Sequence, residues 1–306
     1  MKKILLPVLV IAAMSSCSKA TVETPDAGGL KEIRLGSGIT ARTKAAYSGD
    51  VAIAGLQFLR LDAGAPTNDF SGCTAIEGNR AVGGAIVFGN KQYYAAADNT
   101  YFASYFPEGI VNNGVVTWSV DGKTDIMTAG AVDAGTNDAP HSASLAYEHR
   151  LAQIEVVCKA AIDDASVQAR WGNITGIKLR NTPATVRYAY NGLEVTPGDT
   201  GDVALAAPDY TADFAPITVP ASTNDAVNAA GMFYPSASQS FQLEIATATE
   251  GIRTVTIDLG AGNSLEHSRK HVVTLTFQAQ PSRDEITVSS TVEEWTPGAT
   301  GSGSLN

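Results

Sequence analysis

"SFQLEIAT" (residues 240–247) and "RTVTIDLG" (253–260) decide the fold. In the first, Phe241, Leu243 and Ile245 alternate with Gln242 and Glu244; in the second, Val255, Ile257 and Leu259 do the same against polar neighbours. A period of two puts the apolar set on one face of an extended chain and the polar set on the other, the mark of a half-buried strand. The pattern recurs elsewhere. "VVTWSVDG" (115–122) sets Val116, Trp118 and Val120 against Thr117 and Ser119, and "HVVTLTFQAQ" (271–280) sets Val273, Leu275 and Phe277 against Thr274 and Thr276. "EITVSSTVEEW" (285–295) carries Ile286, Val288 and Val292 on one parity. "GLQFLRL" (55–61) and "GAIVFG" (84–89) are apolar on both parities and predict more buried strands. Turn residues punctuate the runs: "NNG" at 112–114, "DG" at 121–122, "NG" at 191–192 and "GAGN" at 260–263. Helical periodicity is scarce; "AAIDDASVQARWG" (160–172) is either one short helix or a linker. The whole predicts an all-β protein of sandwich type. A chain of 306 residues has room for two domains. Their boundary is placed near Asp163, after the strong strand "LAQIEVVCKA" (151–160).

The N-terminus predicts export. Lys2 and Lys3 precede an apolar run, Ile4 to Met14, then Ser15, Ser16 and Cys17. That is the charged, apolar and small-residue order of a secretory signal. The run is too short for a permanent membrane span, which takes about 20 apolar residues. A cysteine directly after the small residues points to a bacterial lipoprotein, with "MSSC" resembling a lipobox and Cys17 the acylated first residue of the exported chain. Acyl chains bury in lipid at roughly 0.8 kcal/mol per CH2, so two or three hold firmly. The alternative is an ordinary signal peptide that happens to end near a cysteine. "SKATVETPDAGG" (18–29) reads as a tether, and "LKEIRLGSGIT" (30–40) as a strand with Ile33, Leu35 and Ile39 on one parity, weakened by Gly36 and Gly38.

Net charge is −10. An acidic chain repels phosphate backbones, so nucleic acid is excluded as a partner. Cys73 and Cys158 are the remaining cysteines. They could pair in an oxidising compartment, but Cys158 shares parity with Ile154 and Val156, which reads as a buried thiol. No catalytic, metal or cofactor constellation is present. There is no G-x-S-x-G, H-E-x-x-H or P-loop. "DAGTND" (133–138) lacks the glycine and glutamate of an EF-hand. "HSRKH" (267–271) has Arg269 and Lys270 between its histidines, which predicts a surface or turn role. His149 reads as packed or capping.

Four segments taken in order resemble the fimbrillin family of Bacteroidales, the subunits of type V pili. They are the lipoprotein signal with the strand before "TARTKA" (40–45), "TYFASYFPEG" (100–109), "DIMTAGAV" with "HSASLAYEHRLAQIEVVCKA" (125–132 and 141–160), and "ITVSSTVEEWTPG" (286–298). The resemblance implies two transthyretin-like β-sandwich domains in tandem, here 43–162 and 163–306, behind a signal peptide (1–16) and a tether with a removable first strand (17–42). It implies export as an outer-membrane lipoprotein and a cut after an arginine by a trypsin-like protease. The candidate is Arg42, giving a mature chain from Thr43; Arg34 is the rival but lies inside the predicted strand. Loss of the strand bearing Ile33, Leu35 and Ile39 would open a groove that a neighbouring fimbrial subunit fills, with adhesion to a host or bacterial receptor as the work of the pilus. No cofactor and no enzymatic activity are implied.

The tail after Trp295, "TPGATGSGSLN", holds Pro297, three glycines and one large apolar residue, Leu305. That is poor material for an apolar groove. Either Val288 and Val292 donate from the last strand, or the subunit accepts without donating, which predicts a minor or tip-like position. The rival reading of the whole chain is a monomeric surface lipoprotein binding carbohydrate, for which Tyr93, Tyr94, Tyr101 and Tyr105 would have to be exposed.

Overall fold

The computed structural model describes residues 29–39, 50–162, 164–236, 238–260, 264–279 and 286–294. The first half contains β1 (Leu35–Ile39), β2 (Ile53–Ala63), β3 (Ile76–Arg80), β4 (Ile86–Phe88), β5 (Asn99–Phe106), β6 (Ile110–Asn112), β7 (Val115–Ser119), β8 (Met127–Asp133) and β9 (Ala143–His149). After β10 (Ala152–Ala160) and the helix α1 (Asp164–Trp171) come β11 (Asn173–Pro183), β12 (Thr185–Ala189), β13 (Glu194–Pro197), β14 (Thr200–Ala204) and β15 (Ile217–Thr218). The chain closes with β16 (Ala229–Phe233), β17 (Ser240–Thr247), β18 (Gly251–Asp258), β19 (Arg269–Phe277) and β20 (Ile286–Glu294). The fold is all-β, as the alternation predicts.

Four sheets result. The largest runs β1-β9-β8-β5-β2-β3-β4. Its central strands are apolar on both parities because both faces are covered. Phe58, Phe102 and Phe106 join one core with Leu145 and Tyr147; Leu59, Tyr101 and Tyr105 join the other, with Trp118, Tyr188 and Tyr190. In the second half, β16-β10-β19-β20 and β14-β11-β17-β18 form two further sheets, and β15 pairs with β11. Ile154, Val156 and Cys158 of β10 are fully buried in the same core as Leu243, Ile245, Val273, Leu275 and Phe277.

The fourth sheet, β13-β12-β7-β6, takes strands from both sides of residue 163. Strand β12 runs antiparallel to β7, from Thr185↔Ser119 to Ala189↔Val115. The hairpin β6–β7 turns on Asn113 and Gly114, both at positive φ (49° and 70°), the geometry that Asn-Gly favours in a two-residue turn. An aromatic cluster seals the junction. Tyr105 lies 5.8 Å from Trp118 and 5.7 Å from Tyr188, and the Tyr105 and Tyr190 hydroxyls are 3.0 Å apart.

Within 160–172, Asp164–Trp171 form a helix. Val167 and Trp171 face the core and are fully buried. Gly172, at φ 65°, ends it in the left-handed conformation that glycine accepts without strain. Trp171 donates its indole N–H to the carbonyl of Gln278 (2.8 Å) and stacks under Arg170. One expectation is corrected: "GAIVFG" yields only the short β4, with Val87 55% exposed, because β4 sits at the end of its sheet and covers the core with one face alone.

Candidate functional site

Strand β1 lies in a groove between two parts of the first half. On one side it pairs with β9 in parallel, from Leu35↔Ala143 through Ser37↔Leu145 to Ile39↔Tyr147. Directly paired residues of neighbouring strands share a face, and Ala143, Leu145 and Tyr147 are all buried. Leu35, Ser37 and Ile39 therefore face the core. On the other side, bridges link Gly36 to Ala85 and Glu32 to Tyr93. The Ile33 amide donates to the Gln92 carbonyl (2.7 Å) and the Tyr94 amide to that of Lys31 (3.2 Å). At the rim Lys91 pairs with Glu32 at 3.0 Å, a surface contact of at most about 1 kcal/mol.

The apolar part of the plug is deep. Ile33 is 3% exposed and Leu35 4%; Ile39 is partly buried against the same core of Ile53, Leu56, Phe58, Ile86 and Phe102. Burying each of the first two contributes roughly 1.5–3 kcal/mol. The groove floor is also polar in one line. Tyr147 donates to Ser104 Oγ (2.6 Å), which donates to the Gln57 carbonyl (2.8 Å), and burial pushes the Tyr147 hydroxyl pKa well above its ordinary value. Arg80, 4% exposed, donates to the Val51 carbonyl and stands 3.6 Å from Asp50.

The structure thus brings Ile33, Leu35 and Ile39 together as the alternation predicts. Cys17, Arg42 and Thr43 lie outside the described residues. The groove wall of Ala143, Leu145 and Tyr147 carries an alternation in "ASLAYEH" (143–149) that had not been singled out, and the hydrogen bond from the Ser37 hydroxyl to the Gly84 carbonyl (2.8 Å) carries no sequence signal beyond the pair of glycines at 83–84.

The remaining candidates fall elsewhere. Cys73 and Cys158 are free thiols. Burial raises both, and pushes Cys158 up to about 12. Tyr94, Tyr101 and Tyr105 belong to the core, so three of the four tyrosines offer no stacking face to a sugar. An open cleft of about 440 Å³ is lined by Pro107, Gly109, Trp118 and Thr124 among others, but Trp118 is itself 4% exposed and its indole N–H is committed to the Pro107 carbonyl (2.9 Å). No metal-ligating cluster occurs among the described residues. His149 is buried against Asp125, 2.5 Å away. The surface role expected for "HSRKH" is wrong for His271. It is fully buried in β19, on the parity of Val273, Leu275 and Phe277, while its neighbours Arg269 and Lys270 reach outward to Glu266 and Glu155.

These features define an all-β protein of several packed sheets whose first strand is gripped side by side in a lateral groove. The chain belongs to the fimbrillin-like family, whose sequence profile matches residues 64–295. That match begins after β1 and β2, so the groove's plug lies outside it. In fold the chain is similar to a candidate cell adhesion protein of Bacteroides uniformis (21% identity, TM-score 0.56, covering 87% of this chain and 99% of that one). It is also similar to one of Bacteroides ovatus (15% identity, TM-score 0.54, 88% and 99%). No curated protein matches the chain.

Proposed function

We propose that the chain is a fimbrial subunit, exported as an outer-membrane lipoprotein on acylated Cys17 and activated by a trypsin-like protease that cuts between Arg42 and Thr43. The cut releases β1, a strand of a neighbouring subunit takes its place, and the assembled pilus serves adhesion to a host or bacterial surface. One observation carries this reading. Strand β1 is parallel to β9 with all of β2 to β8 between them in sequence, so no hairpin ties the plug to the strand it covers. Its loss would bare the β9 edge and the pockets of Ile33 and Leu35, and an open apolar edge invites strand addition. A head-to-tail contact that does not close on itself grows a filament. The division into tandem transthyretin-like sandwiches, 43–162 and 163–306, belongs to the same proposal, with hairpin β12–β13 reaching across it.

The poor tail at 296–306 supports a minor or tip-like position. A second reading has β20 donate. It is favoured by the place of β20 at the end of its sheet, paired among the described residues with β19 alone.

Intact mass and N-terminal sequencing of the protein from its native surface test the proposal, together with protease treatment of the purified precursor. A chain beginning at Thr43 is expected. A surface form that still begins at acylated Cys17 would sink the exchange mechanism and return the tethered sugar-binding protein as the better account.

A further inference from the structure

Three of the inward positions of the plug take large side chains and one does not. Ile33, Leu35 and Ile39 are apolar, and between the last two stands Ser37. The wall opposite is small beside Leu35 and large beside Ser37 and Ile39, the last of which pairs with Tyr147 and is only partly buried. Leu35 pairs with the small Ala143, and Ser37 with the larger Leu145, which is fully buried. On the other side the chain turns back at Gly83 and Gly84, and Ser37 donates its hydroxyl to the Gly84 carbonyl at 2.8 Å. Gly84 is held at φ 83°, and a Cβ there would stand 2.3 Å from the Ser37 carbonyl oxygen and 3.6 Å from the Arg80 guanidinium. The backbone therefore approaches the plug closely beside Ser37. A large side chain at position 37 would meet Leu145 and the Gly84 carbonyl together, and an apolar one would also leave that carbonyl without its donor. Packed interiors tolerate such overfilling badly.

We propose that the groove selects its incoming strand at the position Ser37 occupies. It accepts apolar–x–apolar–x–small–x–apolar, with a serine favoured at the small position, and rejects a strand that is large there. The occupant is a strand of a neighbouring subunit, so the inference rests on the reading that β1 is replaceable. A second stretch of the chain meets the rule. The spacing of Ile33, Leu35, Ser37 and Ile39 recurs in Ile286, Val288, Ser290 and Val292. Ser290, like Ser37, donates its hydroxyl to a backbone carbonyl of an adjacent segment, that of Asp258 (3.1 Å). A second copy of this chain therefore carries a strand of the required pattern, and the inference takes the second reading above, in which β20 donates, over a tip that accepts without donating.

The test uses the full-length protein, nicked after Arg42 with a trypsin-like protease and verified by mass. Labelled peptides of residues 30–40 and 284–294 are offered to it, and incorporation is followed by native mass spectrometry. The wild-type 30–40 peptide is expected to enter. Its Ser37→Leu form should bind at least about tenfold more weakly, and Ser37→Ala only a few-fold more weakly, having lost one hydrogen bond but no space. The 284–294 peptide should enter, and its Ser290→Leu form should not. Equal binding of the Ser37→Leu peptide, or exclusion of the 284–294 peptide, overturns the selection rule while leaving strand replacement intact. Failure of the wild-type 30–40 peptide overturns replacement itself, and selection with it. A measurement without exchange stands beside these: in the uncut chain, Ser37→Leu should unfold at lower denaturant than Ser37→Ala, and the reverse order overturns the size argument.

Discussion

His271 titrates near 6.5 in an unfolded chain, and burial lowers it to about 4 in the fold. Neither ring nitrogen has a hydrogen-bond partner among the described residues. The unfolded state therefore binds the extra proton between these values. Stability is full above about pH 6.5 and is lost as pH falls toward 4, by about 3 kcal/mol in total. Replacing His271 by Leu should flatten that part of the stability profile, measured as denaturation midpoints from pH 7 to pH 4; an unchanged profile would show that the imidazole is not the titrating group. Leu35 makes a second prediction. Leu35→Ala should cost about 2–5 kcal/mol in the full chain, since Leu35 is 4% exposed and its loss leaves a cavity; chemical denaturation reads this directly. Both residues show what the sequence carries at this scale. Leu35 was legible from alternation with Ile33 and Ile39. His271 was misread because its charged neighbours suggested a surface, although its parity with Val273, Leu275 and Phe277 held the correct answer.

At the scale of elements, the sequence is informative about faces and turns and silent about partners. Asn113-Gly114 marked a tight hairpin and the structure has one, with both residues at positive φ. Gly114→Ala should destabilise by about 1 kcal/mol through that φ. The would-be Cβ lies 3.4 Å from the Ser71 carbonyl, so no large clash adds to it; a urea titration of the variant decides whether the loss stays near that size. The pairing of this hairpin with β12 could not be read, because a period of two reports which side of a strand is buried and nothing about which strand lies beside it. The same limit hid the parallel pairing of β1 with β9. Of the two stretches that are apolar on both parities, "GLQFLRL" was read as a more buried strand and is one, since β2 has a core on each face; β5 shares that position without having been singled out. The short β4 misled because an end strand needs only one apolar face.

For the whole molecule, the shared sheet β13-β12-β7-β6 has a direct consequence for autonomy. A fragment ending at residue 162 would lose β12, with its five paired positions along β7, and Tyr188 and Tyr190 from the aromatic cluster around Tyr105 and Trp118. Such a fragment should lack the dispersed amide spectrum and the single cooperative melt of the full chain; a well-dispersed spectrum from it would show that the first sandwich folds alone. The segment 143–160 also runs unbroken from one half to the other. Its first strand, β9, grips the plug in parallel, and its second, β10, grips β19 in parallel from Gln153↔Lys270 to Ala160↔Phe277. A pull along these strands loads each ladder in shear, so that its bonds must yield together instead of peeling one by one. Tension entering at the groove would thus pass down a single stretch of covalent backbone before it reached the C-terminal strands, leaving the hairpins and the helix α1 outside the line of force.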